Sequence, residues 1–194
     1  RMLIPNNTSE YILLNNDFSF TNLTCINSGT IYSKNNIYRG FKRFLQSNNI
    51  ADFTSINDTL LPANDITFSH FFQSMPKSTI IRNMNIKFKP SESRFLELAF
   101  SSDYGILKTW GEAQFKNGTD ESYAIVTFET KVQKLSGATP TFLSDVEDVL
   151  SVGPTTVESE NIVRLYRNQW VIFTPSEFSN PEVNLMLNVN FRQL

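Results

Sequence analysis

Near its C-terminal end the chain reads PEVNLMLNVNF over residues 181–191, and hydrophobic and polar side chains alternate along it. Val183, Leu185, Leu187, Val189 and Phe191 fall on one side of an extended backbone, Asn184, Asn188 and Asn190 on the other, and only Met186 breaks the rhythm. Successive strand side chains point to opposite faces, so this period predicts a strand with one dry and one polar face, woven into the fold. The rhythm recurs upstream. Residues 18–25 are rich in Phe and Thr, and residues 65–73 alternate Ile66, Phe68, His70 and Phe72 against Thr67, Ser69, Phe71 and Gln73. Residues 79–89 put Ile80, Met84, Ile86 and Phe88 on one face, and Pro90 stops them. Phe95–Phe100, Leu107–Phe115, residues 121–132 and Trp170–Phe173 complete the set, and Asn117-Gly118 predicts a hairpin turn between the two middle runs. Eight or so strands joined by connections of varied length predict an all-β sandwich or barrel.

Two stretches keep helical spacing instead. Ile37, Phe41, Phe44 and Leu45 recur at i, i+4, i+7 and i+8 with Asn35 or Asn36 as a cap, and Phe142, Val146, Val149 and Leu150 repeat the spacing between Pro140 and Gly153-Pro154. Both are expected as short helices inserted in a β frame. The first seventeen residues, Asn-rich around Tyr11-Ile12-Leu13-Leu14, read as an extended arm, with Leu3, Ile4, Tyr11 and Ile12 as the residues expected to pack on a neighbouring subunit. No repeat and no Gly/Ser- or Pro-rich linker divides the remainder, so residues 18–194 read as one domain.

Composition narrows the function. A chain of 194 residues with 40% hydrophobic residues, 17 of them Phe, has enough apolar mass for a substantial core. A net charge of -2 gives no positive field to hold nucleic acid, and Arg39, Lys42 and Arg43 beside Phe41 and Phe44 read as the wet face of the first helix. The single cysteine, Cys25, excludes an internal disulfide and multi-cysteine metal sites, and no cofactor motif is present. Five glycosylation sequons begin at Asn6, Asn7, Asn22, Asn57 and Asn117, about the number that chance supplies in so Asn-rich a chain, and they carry little information.

Catalytic chemistry has few starting points. The one histidine, His70, falls on the apolar side of its predicted strand and reads as a buried or interface imidazole. Asp120-Glu121 and Glu147-Asp148 are the paired carboxylates a glycosidase would need, yet adjacent acids in a turn or on a wet face are commonly solvated charges. A lectin-like site is a further alternative, with Trp110, Tyr104 and Tyr166 as aromatic platforms for sugar, each of which also suits a core position. The expectation is a binding or structural protein and not an enzyme.

The run Asn168–Phe173, the connection through Pro175 and Asn180-Pro181, and the strand Glu182–Arg192 together resemble the last two strands of capsid proteins from picorna-like viruses, most of all the small coat proteins of the comovirus and cheravirus kind. Residues 78–89, STIIRNMNIKFK, resemble the strand after the first helical crossing of those proteins, and the likeness covers about a third of the chain. It implies an eight-stranded jelly-roll β-sandwich of two Greek-key sheets, and a coat subunit that joins other capsid subunits in an icosahedral shell. Contact with the enclosed RNA would then be weak and non-specific, no membrane would be involved, and the protein would reside in the virion after assembly in the host cytoplasm. Cleavage from a polyprotein, common in that family, would fit a chain that begins at Arg1. The alternative reading is a β-sandwich glycan-binding or adhesion module.

Overall fold

A computed structural model of the chain describes residues 2–4, 10–19, 23–25, 29–40, 51–63, 76–90, 93–100, 104–158 and 162–194. In the first half, β1 (Met2–Ile4), β2 (Glu10–Leu14), β3 (Asp17–Ser19), β4 (Leu23–Cys25), β5 (Thr30–Lys34), β6 (Ile37–Arg39), β7 (Asp52–Ile56), β8 (Thr59–Leu61) and β9 (Ser78–Phe88) follow one another. Their pairing is parallel throughout: β2, β5, β7 and the first half of β9 form one ladder, β3, β6, β8 and the second half of β9 another, and β1 lies on β4. The backbone thus climbs in stacked coils. Tyr11, Ile31, Phe53 and Thr79 form one column, and Phe18, Tyr38, Leu60 and Ile86 another.

Asparagine makes the described corner between the two ladders at each level. Asn15, Asn35, Asn57 and Asn83 adopt φ of 54°, 55°, 54° and 50°, a left-handed conformation that Asn tolerates better than most residues because its short amide can bond locally. They stack at intervals of 20, 22 and 26 residues. Behind them a second file of polar residues stitches the coils together: the Asn16 N–H donates to Asn36 Oδ1 at 2.9 Å, and the Asn36 N–H donates to Asp58 Oδ1 at 2.8 Å. Asp58, fully buried, also accepts from Ser55 Oγ at 2.6 Å. At the fourth corner Met84 replaces the polar residue, and the Asn83 N–H, whose counterparts at Asn15, Asn35 and Asn57 donate to backbone carbonyls of the next coil, donates to Asn188 Oδ1 at 2.9 Å. There the coil file ends.

The second half is antiparallel. It comprises β10 (Arg94–Ala99), β11 (Gly105–Lys116), β12 (Tyr123–Lys134), β13 (Thr141–Val152), β14 (Val163–Tyr166), β15 (Gln169–Phe173) and β16 (Glu182–Gln193). The alternating stretch that ends the chain, β16, lies between β9 and β11, so it joins the coils to a long sheet continued by β12 and β13. The small sheet β10–β15–β14 packs against this sheet in a sandwich-like arrangement. Fully buried Trp170 sits between them, 5.8 Å from Phe128 by ring centroid, with its Nε1–H donated to Thr130 Oγ1 at 2.8 Å. Gly111 lies where β11 crosses β16, and an added Cβ would press on the Met186 carbonyl oxygen and, at 3.2 Å, on Phe128 Cζ. Gly111→Ala is therefore expected to lower stability by about 1–3 kcal/mol, read from the urea midpoint, because two paired strands must separate locally.

The all-β class expected from the sequence holds, as do the hairpin at Asn117-Gly118 and the faces of β16. The jelly roll is corrected: such a fold is antiparallel, whereas the coils pair in parallel. The second helix is corrected as well. Residues 142–150 lie in β13, which twelve-residue β12 recruits along its length. Of the first expected helix, Ile37 is in β6, while Phe41, Phe44 and Leu45 lie outside the described residues. The absence of a repeat is corrected by the Asn corners. The face of residues 79–89 is corrected in part, since the corner at Asn83 resets the alternation and Ile81, not Ile80, joins buried Met84, Ile86 and Phe88. Within the expected arm, Glu10–Leu14 pairs with β5.

Candidate functional site

The outer face of the long sheet carries a cleft of about 470 Å³ at the end where β9 and β11 finish and β12 and β16 begin. Strand register builds it. Lys87, Asn184 and Gln114 stand side by side on β9, β16 and β11, and two residues along on the same face Glu182, Lys116 and Tyr123 form a second row. Lys89 closes that row by an ion pair with Glu182 at 2.6 Å. Phe88, Phe115 and Val183 point to the opposite face and are buried in the core, which fixes the strands beneath. The position of every polar group in the cleft except Lys89, which follows the end of β9, is thus set by a continuous ladder.

The lining combines three lysines with one glutamate, two side-chain amides and an aromatic ring that is 45% exposed. The Lys89 ammonium hydrogen-bonds Glu182 and holds its carboxyl below the usual range. Glu121, just beyond the cleft, accepts from Lys116 at 3.3 Å and raises the lysine's pKa, and the Lys116 Nζ lies 5.9 Å from the Tyr123 ring centroid. Lys87 has no ion pair among the described residues. Asn184 is half-buried, and its buried Oδ1 accepts no hydrogen bond from the described residues. A second hollow is lined by Pro90, Pro175, Pro181, Phe178 and small polar residues, with no charged group among the described residues.

The residues expected from sequence are dispersed. Trp110 is half-buried on the same outer sheet face, but Arg82 and Lys108 lie over its ring at 5.0 and 5.4 Å. Tyr104 is exposed before β11, at the far end from the cleft, and Tyr166 stands edge-on to Phe173 in β14. Leu3 and Ile4 are in β1, Tyr11 is half-buried against the core, and Ile12 is 60% exposed. His70 lies outside the described residues, and Cys25 is in β4. A two-residue turn at Asn117-Gly118 would set Lys116 opposite Thr119, whereas the turn spans residues 117–122 and sets it opposite Tyr123, so the dipeptide does not reveal Tyr123 as a cleft residue.

The carboxylate pairs are spent on structure. Glu147 and Asp148 point to opposite faces of β13, and Glu147 accepts the N–H groups of Ile162 and Val163 at 3.2 and 2.8 Å. Burial raises the Glu147 pKa against the lowering effect of those two bonds. Asp120 ties the β11–β12 turn to the chain beyond β13, accepting from Thr155 Oγ1, from Asn117 Nδ2 at 2.7 Å and from the Ser122 N–H at 3.0 Å. The Thr155 hydroxyl, then the Ser122 N–H, bring its pKa down to about 2. A carboxyl whose folded pKa is depressed stabilises the fold above its unfolded value and loses that contribution as pH falls through the folded one. Stability is accordingly expected to fall from about pH 4 towards pH 2, and Asp120→Asn should flatten that limb of the urea midpoint against pH.

No family model and no curated protein matches the chain. One solved structure with some likeness is the Acinetobacter baumannii phage AM24 tailspike protein, 9% identical, with 96% of this chain and 50% of that chain covered and a TM-score of 0.29. The chain spans about half the length of that protein's chain, and a likeness of this size carries no argument.

Proposed function

We propose that this protein is a recognition module whose outer sheet face binds an acidic glycan in the cleft around Tyr123, Gln114 and Asn184. The observation that carries the reading is the composition of that cleft: an exposed aromatic wall, two primary amides and an excess of lysine on one rigid face. A saccharide offers what each group lacks. Its C–H face covers an aromatic ring, its hydroxyls both donate to and accept from amides, and a carboxylate answers the lysines. The Asn184 acceptor distinguishes this ligand from inorganic phosphate or sulfate, which at neutral pH offer lysine an acceptor but bring the amide oxygen little in the way of a donor. That oxygen is itself buried, so binding requires the amide to turn it towards the cleft.

A glycan array tests the reading. Saccharides ending in sialic or uronic acid are expected to bind, and Tyr123→Ala and Lys87→Glu should each weaken binding about tenfold, as loss of one good contact worth ~1.4 kcal/mol implies. Uniform silence across acidic glycans with a folded protein would refute it. The resemblance behind the coat-subunit reading implies a jelly roll, a fold that the parallel coils do not support. A specific observation keeps assembly as a second reading: β13 lies at the edge of the long sheet and exposes Leu143, Val146, Leu150 and Val152. Sedimentation of native material separates the two, since a shell subunit is expected in particles and a monomer at every concentration contradicts it.

A further inference from the structure

The outer face of the long sheet carries a second group of cations, at the opposite end of the strands that build the cleft. Asn190, Lys108 and Lys131 stand side by side on β16, β11 and β12. Lys108 and Lys131 are thus direct cross-strand partners, a like-charge pair that costs the sheet stability. Glu129 answers one of them, its Oε1 2.7 Å from the Lys108 Nζ. Next on the same face of β11 is Trp110, and the Arg82 guanidinium lies over its ring at 5.0 Å. Two backbone carbonyls hold that guanidinium, since Nη1 donates to Ile81 O at 2.9 Å and to Val189 O at 3.1 Å. Its charge is therefore placed by main chain and indole, and it forms no ion pair among the described residues. Arg192, exposed on the same face of β16, adds a fourth cation beyond Asn190. Between this group and the cleft runs a row of Asn85, Met186, Glu112 and Thr127 with a single acid, and Glu112 accepts from Gln114 Nε2 at 2.7 Å. Lys108 and Lys116, one in each cationic group, are about 27 Å apart along β11 at ~3.4 Å per residue.

We propose that the ligand is an internal stretch of an acidic polysaccharide, laid along β16 and β11. One of its carboxylates meets Lys87 and Lys116 in the cleft, and another, several sugars away, meets Arg82 and Lys131. The inference rests on the cleft reading and adds a second subsite to it. The separation selects a polymer, because a single terminal acid cannot reach both groups. The paired strands hold the two subsites at a fixed distance, so the second contact forms within the complex already made by the first. An anion set between Lys108 and Lys131 relieves their repulsion, which the free protein bears. A nucleic acid strand fits less well: it carries a charge on every unit, and the row between the two groups offers those charges Glu112 and no cation.

The probes are a disaccharide and an octasaccharide of galacturonic acid, titrated into the intact chain by calorimetry. The octasaccharide is expected to bind about a hundredfold more tightly. Lys131→Glu removes the like-charge pair at an exposed position, so the fold should keep its stability. It should weaken the octasaccharide about tenfold and leave the disaccharide unchanged, and Arg82→Gln should do the same. Arg167→Glu, an equal change of charge in the turn between β14 and β15, should alter neither. The inference is overturned by equal affinity for the two lengths, or by octasaccharide binding that Lys131→Glu leaves intact. In both cases the bound disaccharide leaves the cleft reading standing. Equal competition by single-stranded DNA of the same charge also overturns it, in favour of a general polyanion site. Silence towards both lengths overturns it as well, and the glycan array then decides the cleft reading by itself.

Discussion

Trp170→Ala is expected to destabilise the protein by ~3–5 kcal/mol, the range found for removing a large buried aromatic residue. Trp170 is the largest fully buried side chain and spans the gap between the two layers of the sandwich. The loss has two parts. The indole leaves a cavity under Phe128, and it also leaves the Thr130 hydroxyl, which otherwise joins Trp170 Nε1 to Thr109 Oγ1 at 2.6 Å, with one partner fewer inside the core. Trp170→Phe keeps most of the volume and should cost clearly less, so the difference in urea midpoint between the two variants separates packing from hydrogen bonding.

Asp58→Ala should come close behind, at about 2–4 kcal/mol. The carboxylate is buried and receives the Asn36 N–H, the Asn36 amide at 3.3 Å and the Ser55 hydroxyl, so its removal leaves several buried donors unsatisfied at ~1–3 kcal/mol for each that finds no water. Asn at the same position keeps one acceptor and restores the residue found at the two preceding corners, Asn16 and Asn36. Asp58→Asn is expected to retain most of the stability, and amide exchange should locate the damage of Asp58→Ala in β5 to β8 while the sandwich stays protected.

The antiparallel half was legible where neighbouring strands follow each other closely, as β11, β12 and β13 do, and where a single face is dry. In β16 five apolar residues on one side are all buried. The expected hairpin joins β11 and β12, although its turn runs over residues 117–122 and pairs Lys116 with Tyr123, not with the Thr119 that a two-residue Asn-Gly turn would place there. The parallel half was opaque for a physical reason. Its partners lie 20 to 26 residues apart at unequal intervals, and its inward file includes Ser33, Ser55 and Thr79, whose polarity hides the alternation. Asn15-Asn16 and Asn35-Asn36 read as a loose arm and a helix cap, whereas left-handed φ and side-chain stacking make them corners. The helical reading of residues 142–150 failed at a degeneracy: Phe142, Val146 and Leu150 are four apart, a spacing that suits a helix and, being even, a strand. As an edge strand with little covering its outer face, β13 offers no burial pattern to break the tie.

The cleft was legible only in its parts. Lys87, Gln114, Lys116, Tyr123, Glu182 and Asn184 come from four strands, and their meeting depends on registers between β9, β16 and β11 that join residues up to about a hundred positions apart. Alternation puts each of them on a polar face, but it does not say which polar faces become neighbours. The terminal strand answers that, since β16 brings β9 beside β11 and so completes the site.

The most direct test of the account is a calorimetric titration of the intact chain with a short acidic oligosaccharide at low and at high salt, beside the neutral saccharide of the same backbone. One saturable site is predicted for the acidic ligand, with affinity that falls as salt rises, a further loss of about tenfold for Lys87→Glu, and little binding of the neutral sugar. Equal binding of both sugars, or an affinity for the acidic one that Tyr123→Ala and Lys87→Glu leave unchanged, would contradict it.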